Sequence, residues 1–261
     1  MATIINFTPS NTPDQIINVS KLTVSSLIAP AVEDTSYEIA NEHTSQPIKD
    51  PVDIQRICNY YRSHGRYRDY MLFVVGINFG LRVSDLLTLR FAHLIDDNFA
   101  FKTTFPILEK KTSNTRKVKK NRYITINEAV IDAVTLYLSN TPNVKLSDYM
   151  FRSESNNGRD VNRPMNRKSV ERVLKDAGVA LGLDIKIATH TLRKTFAYHQ
   201  MLISENDPRK LLLLQKIFGH SSVAQTLDYI GITQEEIEEA YLDLNLGRAR
   251  SYVGNLIEEV V

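Results

Sequence analysis

The chain has 261 residues, 24% of them charged, and a formal net charge of +2. That length holds one sizeable core plus an appendage, and no apolar run nears the roughly 18 residues that a membrane span needs. A single cysteine, Cys58, excludes an internal disulfide framework, and the six histidines show no zinc-type spacing, so neither a metal nor another cofactor is expected.

Residues 1–48 are rich in Asn, Thr, Ser and Pro, and Pro30 interrupts the one apolar stretch, Ser25 to Val32. They read as a short arm rather than a folded domain. The opening MATIINFTPSN lacks the basic-then-apolar order of a secretory signal, which together with the cysteine usage suits a reducing cytoplasm. From Asp50 the pattern turns helical. Asp50-Pro51 is an N-cap followed by Pro at the first helical position, opening a helix over Val52 to Arg62. Tyr67 to Phe79 predicts a second, apolar and buried helix that Gly80 ends. Val83 to Leu94 predicts a third, with Leu86, Leu87, Leu89 and Leu94 inward. Asn98 to Phe105 and Arg122 to Ile126 read as strands. Between them Lys102, Lys110, Lys111, Arg116, Lys117, Lys119, Lys120 and Arg122 face only Glu109. This basic middle lies between two acidic ends, a distribution that fits a nucleic-acid-facing surface and equally an ordinary solvated one. Asn127 opens a helix through Ser139, and another runs from about Asn166 to Leu181, with Arg163 ahead of it and Arg167, Lys168 and Arg172 on it. Thr233 to Leu246, with the capping pair Thr233 and Glu236, closes the prediction.

The most informative stretch is Ala188 to Gly231. His190 and Arg193 stand three apart at the start of a predicted helix, so both project from one face. Phe218-Gly219-His220-Ser221-Ser222 reads as a helix end, a Gly stop and a Ser cap for the next helix. Tyr229 follows His220 by nine residues, just ahead of Gly231. Further upstream stands Gly80-Leu81-Arg82-Val83-Ser84-Asp85-Leu86, where an Arg follows a helix break. His199 shares a helix with Arg193 but not its face, and reads as structural.

Together these motifs resemble the tyrosine recombinases of the phage integrase family, over roughly residues 50 to 245. That family's signatures are Gly-Leu-Arg followed by an acid, then His-x-x-Arg, then Gly-His-Ser, then a Tyr nine residues after that His. The resemblance implies an α+β fold: a mostly helical catalytic domain over residues 49–231 with a small antiparallel β-sheet. The short arm 1–48 stands where most members carry a helical core-binding domain. It implies that Arg82 and Arg193 grip a scissile DNA phosphate, that Asp85 supports the site, and that His190 takes a proton. His220 would donate a hydrogen bond, and Tyr229 would be the nucleophile. The family's catalytic Lys sits on a hairpin turn; Lys111 before Thr112 matches best, with Lys110 as the alternative and Ser113-Asn114 in place of the family's Gly. Lys110, Arg116, Lys117, Lys119, Lys120, Arg163, Arg167, Lys168 and Arg172 become candidate DNA contacts. The implied reaction is site-specific cleavage and rejoining of double-stranded DNA through a covalent 3′-phosphotyrosine. Residues 232–261 would dock on a neighbouring protomer in a homo-oligomer of up to four, in a prokaryotic, phage or mobile-element setting. A type IB topoisomerase-like nicking-closing enzyme and a catalytically idle DNA-binding regulator are the competing readings.

Overall fold

The computed structural model describes residues 45–108, 122–154, 162–204 and 207–230, all within one unit that begins at Ser45. Helix α1 (Pro51–Ser63) starts as the sequence predicts: the Asp50 carboxylate accepts from the Val52 N–H at 2.7 Å, and Pro51 occupies the first turn. Helix α2 (Tyr67–Phe79) buries Met71, Leu72, Phe73, Val74 and Val75, as its nearly continuous apolar sequence requires. It ends at Gly80, whose φ of 57° places it in the left-handed region that suits Gly at a helix C-cap.

Residues 83–94 are not one helix. They form two short ones, α3 (Val83–Leu86) and α4 (Phe91–Leu94). The expected inward set holds, with Leu86, Leu87, Leu89 and Leu94 all buried. What breaks the helix is backbone pairing with a distant segment. Phe91 N donates to Asp148 O, Ala92 N to Leu146 O, and Met150 N to Leu89 O. These partners replace the intrahelical bonds, and the Thr88 hydroxyl takes up the Asp85 carbonyl at 2.6 Å.

The sheet is the two-stranded antiparallel pair β1 (Thr104–Ile107) and β2 (Arg122–Thr125), with Phe105 opposite Ile124 on the buried face. The strand expected over Asn98 to Phe105 therefore begins later. Residues 96–100 instead close a turn in which the Asp96 carboxylate accepts from the backbone N–H of both Asn98 and Ala100 at 2.9 Å, with Phe99 at φ 61°.

Helix α5 (Glu128–Asn140) packs on α2, and α6 (Arg167–Leu181) on α1; each is capped by its preceding Asn side chain. Helix α7 (Thr191–Ile203) also lies against α2, closely enough that a Cβ on Gly76 would fall 2.6 Å from Leu192 Cδ1. Helices α8 (Pro208–Phe218) and α9 (Val223–Ile230) pack on α7 and on each other. Two apolar clusters result. The larger gathers α1 to α7, and the smaller holds Ala197, Met201, Leu214 and Phe218, with Tyr229 and Ile230 packed against it. The candidate site lies where these clusters meet. No helix among the described residues is long and apolar enough to cross a membrane.

Candidate active site

Arg193 sits on the first turn of α7 and is 1% exposed. A buried guanidinium is tolerated only when its donors are used. Its Nη1 donates to Gly80 O at 2.8 Å and its Nη2 to Phe218 O at 3.0 Å. The same guanidinium stacks 4.1 Å from the Phe218 ring centroid. Arg82, in extended backbone just before α3, also donates to Phe218 O at 3.0 Å. Phe218 is the last residue of α8, so two cations converge on the electronegative pole of that helix. Gly219 permits this: at φ 64° it turns the chain, and His220 N closes back on Gln215 O at 3.1 Å. The Ser222 hydroxyl accepts from Gln225 N at 3.2 Å and starts α9, the Gly stop and Ser cap read from the sequence.

Tyr229, on the last turn of α9, reaches back across α7. Its hydroxyl lies 3.1 Å from His190 Nδ1. The phenol ring is bounded by His220 at 4.7 Å, Phe218 at 5.7 Å and His190 at 6.1 Å between centroids. Arg193 Cζ and Lys194 Nζ lie 5.8 and 5.9 Å from its centroid. Burial pushes the His190 imidazole below the ordinary histidine range, and the positive charges of Arg167, Arg193, Lys194 and Arg82 push the same way. An imidazole so held keeps its lone pair at neutral pH and can accept a phenolic proton. His220 Nδ1 lies 3.0 Å from the Thr226 hydroxyl.

Five of the sequence-predicted residues, Arg82, His190, Arg193, His220 and Tyr229, thus meet in one place. Asp85 lies on α3, 1% exposed, three residues from Arg82. Of the basic candidates, Arg167 at the start of α6 comes near enough to act on His190. Arg163 and Lys168 are exposed. Arg172 lines a cleft of about 580 Å³ with Arg66, Arg68, Asp69 and Tyr137. Lys110, Lys111, Arg116, Lys117, Lys119 and Lys120 lie outside the described residues, as do the segment 232–261 and the arm before residue 45. His199 is structural, its Nε2 bonded to Ile48 O at 2.9 Å. Two neighbours of the site were not predicted, Lys194 and Thr226. Helical spacing carried a signal for both, since Lys194 is four residues from His190 and Thr226 three from Tyr229.

The family model described as the phage integrase family matches residues 50–236. The chain belongs to that family. Among the chain's relatives is the probable integrase/recombinase YoeC of Bacillus subtilis strain 168, 35% identical over 199 residues that make up 76% of this chain and 96% of YoeC. The tyrosine recombinase XerA of Pyrococcus furiosus is 31% identical over 183 residues, 69% of this chain and 56% of XerA. XerC of Caldanaerobacter subterraneus is 30% identical over 71% of this chain and 47% of its own length. The chain therefore spans nearly all of YoeC but only about half of the Xer relatives. Its fold matches a crystal structure of XerA recombinase with a TM-score of 0.55 at 23% identity, covering 77% of this chain and 66% of that one. It also matches XerH bound to its palindromic difH substrate in a post-cleavage complex, with a TM-score of 0.52 at 18% identity, over 76% of this chain and 53% of that one. The mostly helical fold with its small antiparallel sheet is that of the tyrosine recombinases, as the sequence motifs implied.

Proposed function

We propose that this integrase cleaves and rejoins double-stranded DNA at a specific site, with Tyr229 as the nucleophile and a 3′-phosphotyrosine as the covalent intermediate. The observation that carries the proposal is the 3.1 Å approach of the Tyr229 hydroxyl to His190 Nδ1 beside two arginines. Attack on a phosphodiester builds negative charge on the nonbridging oxygens, and two guanidinium forks are suited to neutralise it. His190, held below its ordinary range, accepts the phenolic proton as the O–P bond forms. His220 donates to a nonbridging oxygen. Lys111, or Lys110 beside it, protonates the departing 5′-oxygen as the P–O bond breaks. The new phosphotyrosine retains the energy of the broken bond, so rejoining by a 5′-hydroxyl needs no ATP, and Tyr229 leaves with its proton restored.

Asp85 supports Arg82 from the buried side, and Arg163, Arg167 and Lys168 lie along the DNA backbone together with the basic run 110–120. Residues 49–231 form the catalytic domain and 1–48 an arm. Residues 232–261 dock on a neighbouring copy within an assembly of up to four on DNA, in the cytoplasm of a prokaryotic host of a phage or mobile element. The family relation supports recombination over a nicking-closing or purely regulatory role.

The test is covalent trapping on a nicked duplex from the chain's own genomic neighbourhood, resolved on denaturing gels. The intact chain is expected to form a protein–DNA adduct and Tyr229→Phe none. An adduct that survives in Tyr229→Phe would reassign the nucleophile.

A further inference from the structure

We infer that Thr226 is a positioning residue for the cleavage reaction: its hydroxyl donates to His220 Nδ1 and so directs the ring's Nε2–H toward the phosphate. The inference rests on the proposed function, in which His220 acts as a donor.

Thr226 is 0% exposed, and among the described residues its hydroxyl has one hydrogen-bond partner, His220 Nδ1 at 3.0 Å. A buried O–H proton is seldom left without an acceptor. Here the acceptor is Nδ1, which must then offer its lone pair. In the singly protonated imidazole the proton therefore resides on Nε2. The opposite assignment, with Nδ1–H donating to Oγ1, would leave the buried Thr226 proton without an acceptor among the described residues.

The His220 ring packs against Phe218, at 5.2 Å and 49°, and Tyr229, at 4.7 Å and 58°, in a cluster closed by the Phe218–Tyr229 contact at 5.7 Å. Nδ1 accepts from Thr226, so the hydrogen bond that the proposed function asks of His220 comes from Nε2–H. Thr226 and Tyr229 are three apart on α9 and share a face. The bond therefore ties the His220 turn to the helix that carries the nucleophile, so hydrogen-bond donor and phenol keep one geometry. Preorganised donors of this kind lose little to reorganisation when charge develops.

Two measurements on the full chain test this. In the free protein, 15N NMR is expected to show a pyridine-type Nδ1 and a pyrrole-type Nε2 for His220; the reverse assignment overturns the inference. In adduct formation on the nicked duplex, Thr226→Val is expected to be slowed about five- to tenfold, whereas Thr226→Ser, which keeps the hydroxyl, stays within about twofold of the original chain. Unchanged kinetics in Thr226→Val, or an equal loss in Thr226→Ser, also overturns it. Should Thr226→Val fail to fold, the nitrogen assignment and the Ser variant still decide. An adduct persisting in Tyr229→Phe would sink the proposed nucleophile instead, while leaving the His220 assignment readable in the free protein.

Discussion

His190 is bounded by four cationic side chains, and their charges add to burial in disfavouring its protonated form. The direction has a consequence in each state of the chain. The folded protein binds this proton less readily than the unfolded chain does, so acidification through the ordinary histidine range, near pH 6.5, favours unfolding at this residue. Arg167 stands first among the charges acting on it, and it is exposed at the start of α6 rather than part of the arginine pair on Phe218 O. Replacing it with Gln removes a repulsion from the imidazolium without disturbing that pair. NMR titration of the free protein is expected to place the His190 midpoint below the usual histidine value. In Arg167→Gln the midpoint is expected to move upward. A midpoint that stays put would remove Arg167 from the site's electrostatics. Lys194 and Thr226 belong to the same scale: each sits within a helical turn of a residue that the motifs marked, yet neither carries a motif of its own.

Among the elements, the junction of α2 and α3 governs the arginine pair. Gly80 supplies the left-handed turn, offers its carbonyl to Arg193, and lets Phe196 approach so closely that a Cβ would lie 2.5 Å from its Cδ1. Gly80→Ala is therefore expected to lose about 1–3 kcal/mol of stability from the strained backbone alone. It should also lose adduct formation, because the Arg193 acceptor moves; denaturant unfolding and the trapping gel read the two effects separately. Such junctions were legible in the sequence because their chemistry is local. Asp50-Pro51, Asn127, Asn166, Gly80 and Gly219 each mark a boundary that the structure has within a residue or two. The two misread elements failed for a different reason. Residues 83–94 take their backbone partners from 146–150, more than fifty residues away, and helical periodicity carries no record of that pairing. The strand at Thr104–Ile107 starts late because Asp96 caps a turn; Asp96-Asp97-Asn98 carried that turn signal, but the alternation of Phe and Thr read as strand.

At the scale of the whole molecule, residues 46–48, the end of the segment read as an arm, are bonded to α7 and to the residues just before it. Gln46 and Lys186 exchange two hydrogen bonds at 3.0 Å, Ile48 N donates to Thr195 Oγ1 at 2.9 Å, and His199 bonds Ile48 O. The Ile48 side chain, 1% exposed, fills the core beside α7. Ile48→Ala is expected to cost about 2–5 kcal/mol, seen as a lower denaturant midpoint. A loss below about 1 kcal/mol would mean that the site collapses around the truncation. This strap was not legible in advance, since a three-residue extended segment has no periodicity and its partners lie about 140 residues further along. The arginine, histidine and tyrosine constellation was legible because its members keep fixed spacings within helices and turns. Residues that support it from other helices keep no such spacing.

Cys58 has a use outside the chemistry of the site. It is the chain's single cysteine, 6% exposed on the inner face of α1, and burial pushes its thiol up to about 11. Only the thiolate reacts with maleimides, and at neutral pH that form is scarce here. A second cysteine placed on an exposed face would therefore take a fluorescent label selectively, with the native residue left in place. Single-molecule observation of this chain on DNA can then be arranged without first rebuilding its core.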